Sequence, residues 1–223
     1  MDFSHSSSEP HVVYEEKNIL AINKPGGLPS NPLNKDDEKK TAVDFAISHC
    51  RELKKSFPDS FEPGLLHRLD VGTSGLLLFA KNEAAFTRLR NFWKTEAVRK
   101  IYTAWVTDET PPLELTHPIA RSLNHKSRML VIDRPELRLY RGKAMEAHTR
   151  VISCKKTSEK YYELEIEILT GVMHQIRVHL AHENLPIVGD ELYKGAEFKR
   201  LCLHSSRLEI DEVIFGKKIT IKT

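Results

Sequence analysis

Cysteine is scarce in this sequence. Cys50, Cys154 and Cys202 are three in 223 residues, far apart and without a C-x-x-C spacing. Neither a disulfide framework nor a zinc site is indicated, and a reducing compartment is implied. No apolar run approaches the length of a bilayer span, and the N-terminus, M-D-F-S-H-S-S-S-E-P, has neither a basic start nor an apolar core. These absences exclude a helical membrane span and a secretory signal, so no membrane partner is expected and the expected location is the cytoplasm. Residues 1–10 read as a disordered tail. There is also no glycine-rich phosphate loop or dinucleotide fingerprint, so no cofactor is expected.

A strong charge of one sign is missing as well. Thirty-four Lys and Arg against 31 Asp and Glu leave +3, which permits a polyanionic partner without demanding one. The distribution says more than the total. Between His117 and Arg150, eight basic residues (Arg121, Lys126, Arg128, Arg134, Arg138, Arg141, Lys143, Arg150) face three acids, a local excess larger than that of the whole chain. By itself such a run is a solvated face or a polyanion contact. A chain of 223 residues holds one sizeable core or two small ones, and length favours a single domain over residues 11–223.

What the chain does have is concentrated from Pro63 to Asn82, P-G-L-L-H-R-L-D-V-G-T-S-G-L-L-L-F-A-K-N. Leu76 to Phe79 read as a buried strand. His67, Arg68 and Asp70 are held just before it, where charge needs a partner or a task. Upstream, His11–Glu15 and Ile19–Asn23 read as short strands around a turn at Glu16 to Asn18, and N-K-P-G-G-L-P-S-N-P fixes an irregular path. Thr41 with Asp44 predicts a capping box, followed by a helix with Val43, Ala46, Ile47, Cys50 and Leu53 on its apolar face. Asn82 predicts the N-cap of a helix with Phe86, Leu89 and Trp93 on one face.

Lys100 to Val106 reads as a strand. Tyr161 to Leu169 alternates, with Tyr162, Leu164, Ile166 and Ile168 on one face and Tyr161, Glu163, Glu165 and Glu167 on the other, which predicts a half-buried antiparallel strand. A further motif, T-G-V-M-H-Q-I-R-V-H-L, spans residues 170–180; its His174 and His179 are five apart, which does not put both on one helix face, so no metal pair is indicated. The end of the chain reads as a hairpin turning at Gly216 and Lys217.

Several of these strings, in this order, resemble the motifs of the RluA family of RNA pseudouridine synthases. They are N-K-P-x-G-L with Lys24 and Pro25, H-R-L-D-x-x-T-S-G-L-L-L-x-A-K, K-x-Y-x-A-x-V around Tyr102, G-x-x-H-Q-I-R-x-H-L with P-I-x-G-D-x-x-Y at Pro186 to Tyr193, and L-H-S at Leu203. The resemblance implies an α+β fold, a long, mainly antiparallel mixed sheet bent around a central cleft with helices on its outer faces. It implies Asp70 as the catalytic carboxylate, Tyr102 against the target base, and Arg177 paired with the aspartate.

By the same resemblance, His67, Arg68, Thr73, Lys126, Arg128, His174, Gln175 and Leu203 are implied RNA-contacting positions. Val172 stands where the family has an arginine. The implied partner is RNA, ribosomal or transfer, with no obligate protein partner and no metal, and about twenty residues before Asn23 leave no room for an S4-like domain. Isomerising uridine moves a base from nitrogen to carbon attachment without oxidation, so it needs a charged carboxylate and no cofactor. An RNA-binding or ribosome-assembly factor without activity is the alternative, and a glycosidase-like hydrolase lacks a second suitable acid.

Overall fold

In the computed structural model, the apolar run Leu76 to Phe79 lies inside a strand buried along its whole length. The structure describes residues 3, 9–34, 37, 39–137 and 139–223. Apart from Phe3, Glu9 and Pro10, the expected disordered tail lies outside the described residues, as does Arg138 of the basic run.

In chain order the elements begin with β1 (His11–Glu15), β2 (Ile19–Lys24), α1 (Ala42–His49), α2 (Glu52–Ser56), β3 (Ser74–Ala80) and α3 (Glu83–Phe92). There follow β4 (Val98–Val106), β5 (Leu113–Leu115), β6 (Ile119–Ser122), β7 (Met129–Val131), β8 (Tyr140–Met145), β9 (Thr149–Lys156) and β10 (Tyr162–Ile168). The chain closes with α4 (Gln175–His182), β11 (Leu203–Ile210), α5 (Glu212–Phe215) and β12 (Ile219–Lys222). This is an α+β protein with mixed, mainly antiparallel strand pairing. Among the described residues no helix is long and apolar enough to cross a membrane. The elements divide into two compact units, Asp2–Lys100 with His204–Thr223, and Ile101–Leu203.

In the first unit the strand order is β1, β2, β3, β11, with β12 paired antiparallel to β11. β2 runs antiparallel to β3 from Ile19 opposite Ala80 to Lys24 opposite Gly75, while β11 joins the other edge of β3 in parallel. Leu76, Leu78 and Ala80 point into a core with Ile19, Ala21, Leu89, Trp93, Leu208 and Ile221. The capping box is present: Thr41 Oγ1 accepts from the Asp44 N–H, and the Asp44 carboxylate accepts from the Thr41 N–H. The single helix expected through Leu53 is instead two, because Cys50 leaves the helical region at φ −123° and ψ 89°. Its apolar face is unaffected, since Val43, Ala46, Cys50 and Leu53 are all buried. Asn82 caps α3 as expected, accepting from the Ala85 N–H. Phe3 is fully buried, edge-on to the His204 ring. The terminal hairpin pairs Ile210 with Ile219, with α5 as its connection and Gly216, at φ 75°, ending that turn.

In the second unit β4, β10, β9 and β5 follow one another in that order, and β7, β6 and β8 form a separate three-stranded sheet. The alternation of β10 holds for Leu164, Ile166 and Ile168, which are buried, but not for Glu167, which is buried too. A register shift between Glu165 and Ile166 places Glu167 opposite Arg150, which is itself opposite Glu114 on β5. Arg150 donates to both carboxylates, so the burial of Glu167 is matched by a cross-strand ion pair. Among the described residues, the basic run other than Arg150 lies on the three-stranded sheet and its turns, where Arg121, Lys126, Arg141 and Lys143 are exposed.

Gly75 has a requirement no other residue can meet. Its φ is +112°, and a Cβ there would stand 2.3 Å from the Ser205 carbonyl oxygen and 2.5 Å from the Ser205 nitrogen on β11. We therefore expect Gly75→Ala to cost at least about 3 kcal/mol of stability, read by chemical denaturation. A wild-type midpoint in that variant would show that β3 and β11 do not pair as described.

Candidate active site

The leading residues of the Asp70 motif run back along β3 before turning away from it. Gly64 O accepts from the Ala80 N–H, Leu66 N–H donates to Leu78 O, and Leu65 bridges to Phe79. The chain then turns, closed by a bond from Thr73 N–H to Asp70 O, and Thr73 itself is buried. The turn is laced to the irregular N-K-P-G-G-L-P-S loop. Ser30 Oγ both donates to Leu69 O (2.7 Å) and accepts from Leu69 N–H (3.0 Å). Val71 O accepts from Gly27 N–H (2.8 Å) and from Lys24 Nζ (3.2 Å). Asp70 is thus the residue between two anchored neighbours, itself only partly buried.

Lys24 is fully buried, and its Nζ also donates to Leu28 O at 2.7 Å and Pro25 O at 3.0 Å. Burial pushes its ammonium down to about 7, and the Asp70 carboxylate opposes that shift. Three carbonyl acceptors match the three hydrogens of an ammonium, whereas a neutral amine has two to give. The loop is therefore built around the charged form, and a buried cation sits within the electrostatic reach of Asp70. Sequence reasoning matched Lys24 to a family motif but gave it and Ser30 no role; the signal was the loop's dense Pro and Gly content, which requires side chains to tie its backbone.

His67 and Arg68 part company. The His67 ring packs on Trp93 at 4.9 Å between centroids, and its Nε2 accepts from the Leu78 N–H at 3.3 Å. Burial, with the nearby Lys100 ammonium, holds His67 far below its ordinary pKa. Arg68, with its side chain 65% exposed, touches the rim carboxylate of Glu62 at 3.4 Å, an exposed contact of little energetic weight.

In the second unit the motif at 170–180 opens α4. His174 is its N-cap in the left-handed region, φ 57°. Arg177 forms a two-pronged pair with Asp190, Nε to Oδ2 at 2.7 Å and Nη2 to Oδ1 at 2.9 Å. Asp190 also accepts from the Tyr193 N–H, and the guanidinium groups of Arg177 and Arg128 lie 5.3 and 5.2 Å from the centre of the Tyr193 ring. The Tyr193 hydroxyl meets His174 Nδ1 and the Met129 backbone. Its burial pushes the phenol up to about 12.

Gln175 is buried, and all four of its amide positions are used within the unit: Oε1 accepts from Thr170 Oγ1 and Val172 N–H, while Nε2 donates to His148 O and Thr149 Oγ1. Val172 packs with Met173 against the cluster of Ile119, Met129, Val178 and Tyr193, so an apolar contact occupies this position. Tyr102 on β4 and Leu203 at the start of β11 are buried, and Lys126 is exposed in the turn after β6. The structure therefore gathers Lys24, Ser30, His67, Arg68, Asp70 and Thr73 in the first unit, and Arg128, His174, Gln175 and Arg177, through Asp190 and Tyr193, in the second. Asp190 and Tyr193 were visible as motif letters, but their roles as partners of Arg177 were not.

Comparison with known proteins adds identity to this geometry. Residues 18–182 match the family model described as RNA pseudouridylate synthase. The chain is 33% identical over 208 residues to ribosomal large subunit pseudouridine synthase D of Borreliella burgdorferi, covering 90% of this chain and 60% of that protein. It is 32% identical to the corresponding synthase C of Rickettsia felis, covering 95% and 66%. The chain thus spans about two thirds or less of these relatives' lengths. Among solved structures, Human RNA Pseudouridylate Synthase Domain Containing 1 superposes with a TM-score of 0.69 at 21% identity, covering 98% of this chain and 84% of that one, a likeness of fold.

Two outcomes follow from the first unit. Lys24→Met leaves the Pro25 and Leu28 carbonyls without this donor and is expected to lower stability by about 2 kcal/mol in denaturant melts; an unchanged melt would remove Lys24 from the framework. His67 is neutral in the fold while the unfolded chain takes up a proton below its ordinary pKa of about 6.5. Its contribution is therefore fully present above that pH and lost as pH falls toward about 3. Melting temperature should fall less steeply over this window in His67→Asn than in the wild type, and parallel slopes would contradict it.

Proposed function

The chain belongs to the RNA pseudouridylate synthase family, and from that premise we propose that it isomerises uridine to pseudouridine within RNA, with Asp70 as the carboxylate on which the reaction turns. The reaction breaks the bond from uracil N1 to ribose C1′, rotates the base and rejoins it through C5. The proton lost from C5 is balanced by one gained at N1, so nothing is oxidised and no group is added. The protein must supply an ionised carboxylate at the sugar, as a nucleophile on C1′ or as a base for a ribose proton.

The observation that carries this reading is the anchoring of Leu69 and Val71 to the 24–30 loop. It holds the carboxylate between them at a defined point, near a buried ammonium, on a surface that substrate can reach. A uridine stacked in a helix cannot approach such a point and must be flipped out, at a cost of a few kcal/mol. Arg68, exposed on the same loop, fills the vacated space or holds a flanking phosphate. Tyr102 stacks on the uracil, and Leu203 packs near the base. Gln175 acts as a positioning residue, since its amide is already engaged. Lys126 and Arg128, with the exposed Arg121, Arg141 and Lys143, contact phosphates. The names of the curated relatives support ribosomal RNA of the large subunit as the substrate class.

The test is tritium release from ribosomal and transfer RNA transcripts labelled at uracil C5. Release from ribosomal RNA is expected, falling about a thousandfold in Asp70→Asn while RNA binding and melting temperature are kept. Wild-type release by that variant would remove Asp70 from the chemistry. Binding without release by the wild type would instead support a silent RNA-binding protein, and release from transfer RNA alone would move the substrate class.

A further inference from the structure

Among the described residues, His117, His182 and Glu183 offer one ligand atom each, all within 4.8 Å of one another. They lie apart from the Asp70 loop and from the pair of Arg177 with Asp190. His117 sits in the link from β5 to β6, His182 is the last residue of α4, and Glu183 is its C-cap. The two imidazoles are 5.3 Å apart between centroids and tilted by 59°. Two imidazoles and one carboxylate are the donor set that a borderline-soft divalent ion takes. The C-terminal end of α4 adds the partial negative charge of the helix dipole.

The link that carries His117 is held in place by neighbouring side chains. His179, one turn before His182, donates from Nε2 to the His117 carbonyl oxygen at 3.0 Å. A carbonyl only accepts, so the proton is on Nε2 and Nδ1 must accept, which it does from Thr149 Oγ1 at 2.9 Å. That hydroxyl is free to donate because its own lone pair takes the Gln175 Nε2–H at 3.0 Å. The chain Gln175, Thr149, His179, His117 thus fixes the tautomer of His179, keeps it out of the donor set, and pins the backbone that carries the first ligand. This is the supporting shell that ordered metal sites require. In a tetrahedral zinc site with bonds near 2.1 Å, the donor atoms stand about 3.4 Å apart. Rotation of the exposed His182 and the helix-end Glu183 closes the remaining distance.

We propose that His117, His182 and Glu183 bind one divalent transition-metal ion of the zinc class, with water completing the coordination, and that the ion clamps the β5–β6 link to the end of α4. The clamp joins the strand that opens the basic three-stranded sheet to the helix that carries Arg177. No spacing in the sequence announces it, since 64 residues separate His117 from His182. It is independent of the isomerase reading and is tested without activity.

The experiment uses the full chain without an affinity tag, stripped by chelator and then titrated with Zn²⁺ by calorimetry and thermal melting, and with Co²⁺ by visible absorption. One ion per chain, a raised melting temperature and the ligand-field bands of tetrahedral Co²⁺ are expected. His182→Ala, at an exposed position that leaves the core intact, should weaken binding about a hundredfold or more and abolish the thermal shift; Glu183→Gln should weaken it while preserving shape. No thermal shift with excess Zn²⁺, or binding of one ion with wild-type affinity by His182→Ala, would overturn the proposal.

Discussion

The buried ammonium of Lys24 is the interaction on which the rest of the first unit depends. A lone charge out of water costs many kcal/mol unless its hydrogens are matched, and here three carbonyl oxygens match them. Two of those carbonyls belong to the irregular loop that Lys24 begins, and the third belongs to Val71. The same side chain therefore shapes one loop and ties it to another. Because Lys24 is opposite Gly75 in the sheet, the tie is referenced to the start of β3, the most deeply buried strand of the unit. The Asp70 carboxylate inherits that rigidity from its neighbours.

The second unit uses the same physical device with different groups. Several of its buried polar atoms are linked in chains: Gln175 to Thr149 to His179 to the His117 carbonyl, and Arg177 to Asp190 to the Tyr193 backbone. Low local polarity strengthens such chains and makes a missing member costly, so each fixes a single arrangement of the strands and helix it joins. The row Glu114, Arg150, Glu167 does this across three strands. In both units, polar groups set the geometry at the motifs while apolar burial supplies the bulk of stability.

This arrangement suits a reaction that moves a base without oxidation or a carrier group. Catalysis of the proposed kind draws on placement and fixed electrostatics, and both come from backbone and side chains already paired within the protein. His67 and Gln175 illustrate the division of labour: their polar atoms face inward to the backbone, whereas Arg68 and Lys126 face outward.

Local periodicity and capping determined much of the secondary structure. The strand at Leu76 to Phe79, the caps at Thr41 and Asn82, and the alternation of Leu164, Ile166 and Ile168 all rest on contacts within a few residues, and such contacts are written in the sequence. Motif letters likewise singled out Asp70, Tyr102 and Arg177 as candidates, whose roles rest on the resemblance. Partners at long range were decided by the tertiary structure alone. The bonds of Ser30 with Leu69, the burial of Glu167 beside Arg150 and the approach of His117 to His182 each join residues from different elements. Register, bulges and loop paths set those distances, and they follow from the packing of the whole chain, which no local pattern contains.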